Sequence, residues 1–309
     1  MLAFILKRLA SLLPVCLGVL IVIASLTRLV PGDPVEAILG DYATEEDKQA
    51  MRKSLNLDEP ISNQVFAYFK GVFQGDLGDS IVYSEPVWAM IVSRLPATIE
   101  LAIASLLVAL LISIPAGIIS AYKPRGLIDF SAMSVAIAGV AIPNFWLGPV
   151  LVLFFSVYLG WLPVSERSDL SSYILPAITM GTALSAALSR ITRNSFLDVM
   201  SEDFVRTAYA KGGSDIRVLI KHCLRNASLP VVTVVGLQFG VLVTGAVITE
   251  KIFDWPGVGS LLLEGIHTRD YTVIQGCVLV FSASYLLVNL ATDIIYAVVD
   301  PRIRFASHD

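Results

Sequence analysis

The feature that most restricts this chain is a series of apolar blocks, each of membrane-spanning size, repeated along its whole length. A bilayer core asks for roughly 20 apolar residues per helix. Blocks of that order fall at residues 9–26, 95–122, 128–159, 172–188, 227–249 and 272–299. Charge is nearly absent inside them: the second carries only Glu100, near its start, and the last only Asp293. Over the chain 16% of residues are charged and mean hydropathy is +0.74, against roughly 25% charged in an average soluble protein. One all-α bundle of six transmembrane helices, with membrane lipid around it, is therefore predicted.

The first block follows Lys7 and Arg8, as a secretory signal would, but it exceeds the 7–15 residues usual for a signal core and no small-x-small cleavage site follows. It reads as a retained first span. Pro143 and Pro149 interrupt the third block, where a kink is expected because proline removes a helical N–H donor. Six spans place both termini on one side. The termini and the loops after the second and fourth spans hold thirteen Lys and Arg, from Lys7 to Arg304, whereas the two short loops at 159–171 and 250–271 hold three, Arg167, Lys251 and Arg269. The positive-inside rule puts both termini in the cytoplasm.

The segment 31–94 is then an extracytoplasmic insertion. Between Asp33 and Glu85 it has eleven acids against four bases, a balance that plain solvation explains as well as a docking surface does. Thr44 is placed to cap a helix running to Leu55, with Glu45, Glu46 and Asp47 in its first turn. The net charge of −4 lacks the basic surplus that phosphate backbones require, so no nucleic-acid partner is expected. Cys16, Cys223 and Cys277 show no CxxC spacing and read as buried apolar side chains.

The stretch 201–230 is longer than a connection between two spans needs. Ser201 is placed to cap a helix over 202–211, which Gly212-Gly213 ends, and Ser214 to cap a second with the apolar stripe Ile216, Leu219, Ile220, Cys223. Arg217, Lys221 and Arg225 line another face. Pro230 falls where the next span starts and removes no internal hydrogen bond. An amphipathic helix pair lying on anionic lipid has the same pattern.

This loop, with Arg206-Thr207-Ala208-Tyr209-Ala210-Lys211-Gly212 and then Leu224-Arg225-Asn226-Ala227-Ser228-Leu229-Pro230, resembles the EAA motif of permease subunits of binding-protein-dependent ABC importers. Arg206 stands where the general motif has glutamate, and the spacing from Gly212 to Pro230 is wider. Both departures resemble the dipeptide, oligopeptide and nickel branch. Further strings in the same order look like that branch: Leu29-Val30-Pro31-Gly32-Asp33-Pro34, Gly75-Asp76-Leu77-Gly78, Leu95-Pro96-Ala97-Thr98, Glu250-Lys251-Ile252-Phe253-Asp254-Trp255-Pro256-Gly257-Val258-Gly259 and Arg269-Asp270-Tyr271. Pro143-Asn144-Phe145-Trp146-Leu147 and Ser156-Val157-Tyr158-Leu159 also look like its nickel members.

The resemblance implies a type I ABC importer (MetI-like) permease fold in a prokaryotic inner membrane. It implies a homologous second permease subunit, two ATPase subunits, an extracytoplasmic solute-binding protein and a di- or oligopeptide substrate, with a nickel or metal chelate or glutathione as alternatives. Its layout is a first span within 1–30, the insertion 31–94, a permease core 95–300 with coupling loop 196–226, and a tail 301–309. It assigns ATPase coupling to Arg206, Thr207, Ala208, Lys211, Gly212, Gly213, Ile216 and Arg217. The sequence has no GxxxxGK[ST] run, so ATP and Mg are expected on the partner subunits, with no cofactor, metal or catalytic residue here.

Ser282, Tyr285, Asn289 and Asp293 recur at helical spacing, so they share one face of the last span and point away from lipid. They line a pathway or, more simply, anchor neighbouring helices. Gly236, Gly240 and Gly245 in the fifth span allow close helix approach, and that span lines the pathway in the resembling family. Asn144 beside the Pro143 kink gates a pathway or satisfies a freed carbonyl. An intramembrane enzyme would want HExxH, GxSxG or paired aspartates, none of which occurs. A stand-alone secondary transporter would want several mid-membrane ionisable groups, and only Asp293 comes near.

Overall fold

The structure is a computed structural model that describes residues 2–29, 35, 43–54, 60–165 and 167–299. The expected tail 301–309, the string at 30–34 and the predicted helix end at Leu55 lie outside the described residues. Helix α1 (Leu2–Leu29) is followed by α2 (Glu45–Ser54) and α3 (Ile61–Phe73). The cap predicted for α2 is present and reciprocal: Asp47 N–H donates to Thr44 Oγ1 at 3.2 Å, and Thr44 N–H to Asp47 Oδ2 at 3.3 Å.

Helices α4 (Val87–Tyr122) and α7 (Ile174–Met200) form the centre of the bundle and share its most extensive contact. Small residues let them meet. A Cβ on Gly181 would lie 2.7 Å from Ser105 O, so only hydrogen fits there. The buried hydroxyls of Ser105, Thr179 and Ser189 donate to the carbonyls of Leu101, Leu175 and Ser185, four residues back on their own helices, so these three need no partner across the interface. Between α4 and α7 lie α5 (Leu127–Ala141) and α6 (Asn144–Tyr158), whose last turns, Val152–Tyr158, are π-helical. After α7 come α8 (Asp203–Ala210), α9 (Asp215–Gly245), the short α10 (Val247–Ile252), α11 (Val258–Thr268) and α12 (Tyr271–Val299). Helix α9 packs on α12 and α7, and α1 on α12.

Four helices among the described residues are long and apolar enough to cross a membrane, within α4, α7, α9 and α12, and α5 with α6 makes a fifth if the bent pair is one span. The first expected block lies in α1, whose described apolar part is Leu12–Ser25. Several boundaries differ from the hydropathy blocks. The second span starts at Val87 rather than 95, because Val87, Met90 and Ile91 are buried against α11 and α12 instead of facing lipid. The fourth runs on past 188 to Met200, since Ser189, Thr192, Ser195 and Phe196 face protein. Pro230 lies inside α9 rather than at its start. The kink expected at Pro143 is a bend of 98° between α5 and α6.

Candidate functional site

The loop between α7 and α9 is built around one turn. Ser201 does not cap α8 as predicted: its hydroxyl donates to Asp198 O at 2.7 Å, closing α7, and Glu202 takes the extended N-cap conformation. Helix α8 ends as the two glycines require. Gly213 N–H donates to Ala208 O at 3.1 Å and Gly212 N–H to Tyr209 O at 2.8 Å, which is the Schellman pairing. Gly212 sits at φ +81°, while a Cβ on Gly213 would lie 2.9 Å from both Ala208 O and Val218 Cγ2. One glycine is needed for its backbone angle and the other for space. Ser214 occupies the N-cap position of α9, but its hydroxyl makes no capping bond.

The apolar stripe predicted for the second helix divides. Ile216 and Ile220 are 72% and 59% exposed, whereas Val218 and Cys223 are fully buried. The reason is the π-helical stretch Val218–Cys223, whose wider turn aligns residues five apart rather than three or four. Val218, Cys223 and Ala227 join Val205 of α8, Phe196 of α7 and Ala121 of α4 in one apolar cluster. Tyr122 O–H adds a bond to Asp215 Oδ2 at 2.7 Å. The loop is thus fastened to the ends of both central helices.

Its outward side is a groove of about 570 Å³, lined by Phe204, Thr207, Ala208, Lys211, Gly212 and Gly213 on one side and by Arg217, Lys221 and His222 on the other. Six of the eight predicted coupling residues line it. Ile216 lies outside it, and Arg206, 80% exposed, is 3.6 Å from Asp203 on its own helix.

The pathway candidates separate into two sets. Gly236 and Gly240 are packing positions: a Cβ on Gly236 would fall within the Thr292 side chain, and one on Gly240 would lie 3.1 Å from the Tyr285 ring. Tyr285 and Thr292 therefore face α9, on the same side of α12 as Asn289, whose Oδ1 is buried with no hydrogen-bond partner among the described residues. Asp293 is half-buried one turn beyond. Gly245 and Asn144 belong elsewhere. They line a cavity of about 240 Å³ between α6, α7 and α9, together with Gln238 and the α7 residues Met180, Ala183, Leu184 and Ala187. A Cβ on Gly245 would meet nothing within 4 Å.

At the end of α4 away from α8 lies a polar knot. Glu250 is completely buried; it accepts from Thr98 Oγ1 at 2.7 Å and Ser260 N–H at 2.9 Å. Burial pushes its carboxyl up, and the bonds from Thr98, Ser260 and Gly259 oppose that shift. Thr98 Oγ1 also accepts from Val258 N–H at 2.9 Å, and Trp255 Nε1–H donates to Ala97 O at 2.9 Å. Gly257 and Gly259 leave room for the carboxylate, since a Cβ at either would collide with it. The equally buried Asp270 accepts from Ser80 Oγ at 2.6 Å and caps α12 through Val273 N–H at 3.2 Å. Arg167 donates to Glu100 through Nε and Nη2 at 2.9 and 2.8 Å, and Tyr173 O–H donates to Glu100 at 2.6 Å. The strings at 75–78, 95–98, 250–259 and 269–271, far apart in sequence, are one assembly.

Comparison with known proteins agrees with this architecture. Residues 113–305 match the family described as binding-protein-dependent transport system inner membrane component, and residues 1–102 match its N-terminal companion family. The chain belongs to this family. It is 43% identical over 305 residues to the glutathione transport system permease protein GsiC of Escherichia coli strain K12, covering 99% of this chain and 100% of that one. The GsiC protein of Salmonella paratyphi A is 44% identical with the same coverage. Among solved structures, an inward-facing form of the MetNI methionine ABC transporter superposes with a TM-score of 0.56 at 15% identity, covering 68% of this chain and 96% of that one. An amino acid ABC transporter gives 0.50 at 14% identity, covering 69% and 94%.

The chain is a permease subunit of a binding-protein-dependent ABC importer with the MetI-like fold. Within this permease, sequence reasoning missed two features. Glu250 stood inside a recognised string with no role attached, and its bond to Thr98, 152 positions away, has no local signal. Gln238 gave a weak signal, a lone amide in an apolar span.

Proposed function

We propose that this permease forms half of the pathway of an importer of short peptides, glutathione among them, the other half coming from a homologous second permease subunit. Two ATPase subunits bind ATP and Mg, and an extracytoplasmic binding protein delivers the solute. The full-length identity of 43–44% to glutathione permeases carries the substrate class. The thirteen-to-three distribution of bases supports cytoplasmic termini, an extracytoplasmic segment 31–94 and a cytoplasmic loop at 196–226.

In this reading the α8 loop is the coupling element. Phe204 and the small residues Ala208, Gly212 and Gly213 permit close approach of an ATPase surface, and Lys211, Arg217 and Lys221 favour acids on it. Force on α8 reaches α4 and α7 through Val205 and Val218. The test is uptake into vesicles holding the purified complex, with binding protein and ATP. Radiolabelled glutathione or trialanine is expected to accumulate. Accumulation of a nickel–histidine chelate in their place overturns the substrate class, and uptake without the ATPases overturns the coupled role.

A further inference from the structure

A pathway that serves peptides of different sequence must meet them through what they share, the main-chain amide groups. Each such group presents one N–H donor and one C=O acceptor, and a primary amide side chain offers the matching pair. The cavity between α6, α7 and α9 carries two such side chains, Asn144 and Gln238, among apolar and small neighbours that include Met180, Ala183, Val241 and Gly245. Asn144 reaches it because α6 begins there, directly after the 98° bend at Pro143. Both side chains are half-buried, and neither is engaged by another described residue.

We propose that Asn144 and Gln238 form a subsite of the translocation pathway that hydrogen-bonds the main-chain amides of a passing peptide. This rests on the peptide-permease reading above. The volume of about 240 Å³ is below the roughly 300–1,000 Å³ of sites that enclose a whole ligand, which suits a segment of peptide held in one half of a shared pathway. Neutral amides suit transit for two reasons. They bring no buried charge that would have to be desolvated, and bonds of modest net strength hold a solute without trapping it. Gly245 borders the cavity without filling it, and a Cβ there would meet nothing within 4 Å.

The test uses the reconstituted complex with both permeases, the ATPases and the binding protein, and reads trialanine and glutathione taken up per ATP hydrolysed. Each of N144L and Q238M lowers that ratio about five-fold, as expected for one lost hydrogen bond, while ATPase activity stimulated by loaded binding protein stays at the wild-type level. Gly245→Val, which adds bulk at the cavity border where a Cβ meets nothing within 4 Å, lowers the ratio in the same way and serves as a second variant should the amide replacements fail to assemble. An unchanged ratio in assembled N144L/Q238M overturns the subsite. Failure of the underlying reading is distinguishable, because the wild-type complex would then take up neither peptide.

Discussion

Two regions of α4 are held by opposite means. At one, in its first third, Thr98 and Ala97 bind buried groups around Glu250 and Trp255. At the other, about 35 Å away at 1.5 Å per residue, Ala121 lies in an apolar cluster with Phe196, Val205 and Val218, and the charges of the loop face outward. A buried network of directional bonds admits one geometry, because every displaced donor leaves a desolvated acceptor. An apolar contact tolerates small sliding motions of the kind seen in shear movements. One region is built as a fixed hub and the other as a bearing, and family-like strings mark both. Resemblance alone does not tell a string that touches a partner from one that only ties the fold together.

The largest effect should come from adding bulk to the hub. Gly257→Val drives a side chain into the Glu250 carboxylate and is expected to lower stability by about 3 kcal/mol or more, seen as lost thermal stability of the complex in detergent. A melting temperature like that of the wild type would break the comparison. Thr98→Val comes next, since it removes the donor to Glu250 and the acceptor for Val258 N–H at once; about 2 kcal/mol is expected from the same measurement.

The hub also has a signature in pH. Burial raises the Glu250 carboxyl above its ordinary 4.5, so the folded state favours the protonated form. The stabilisation is fully present below pH 4.5 and is lost as pH rises through the raised folded value. Relative to Glu250→Gln, the wild type should therefore lose melting temperature as pH climbs from 4.5 toward neutrality. A difference that stays constant with pH removes Glu250 as the titrating group.

Smaller effects belong to the bearing. Gly212→Ala places a side chain at φ +81° and should cost about 1 kcal/mol, while weakening capture of the ATPases by the complex. Arg206→Ala should change stability by less than about 0.5 kcal/mol, because its ion pair with Asp203 is exposed and long. A large loss of stability from Arg206→Ala would mean that this region, too, is rigidly tied.

The legible parts were those governed by local rules. Apolar blocks located the spans, Thr44 located the cap of α2, and Gly212-Gly213 located the end of α8. Legibility ended where a side chain's surroundings came from another part of the chain. Hydropathy lost α7 at residue 188 because the helix goes on with buried hydroxyls at 189, 192 and 195, and the loop stripe failed because a π turn changed its period. The three glycines of α9 looked alike in sequence, yet two meet α12 and the third meets open space.

By itself the sequence determined that this is a helical membrane protein and, through its loop and ordered strings, which transport family it joins. Both follow from properties read along the chain: apolar length, helix-ending glycines and residue order. Tertiary structure alone decided that Thr98 and Glu250, 152 positions apart, share one bond, and that Asn144 and Gln238 open into one cavity. The physical reason is that pairing and enclosure depend on which helix faces which, and in lipid that choice is made by close packing and hydrogen bonds between helices rather than by the hydropathy of any one of them.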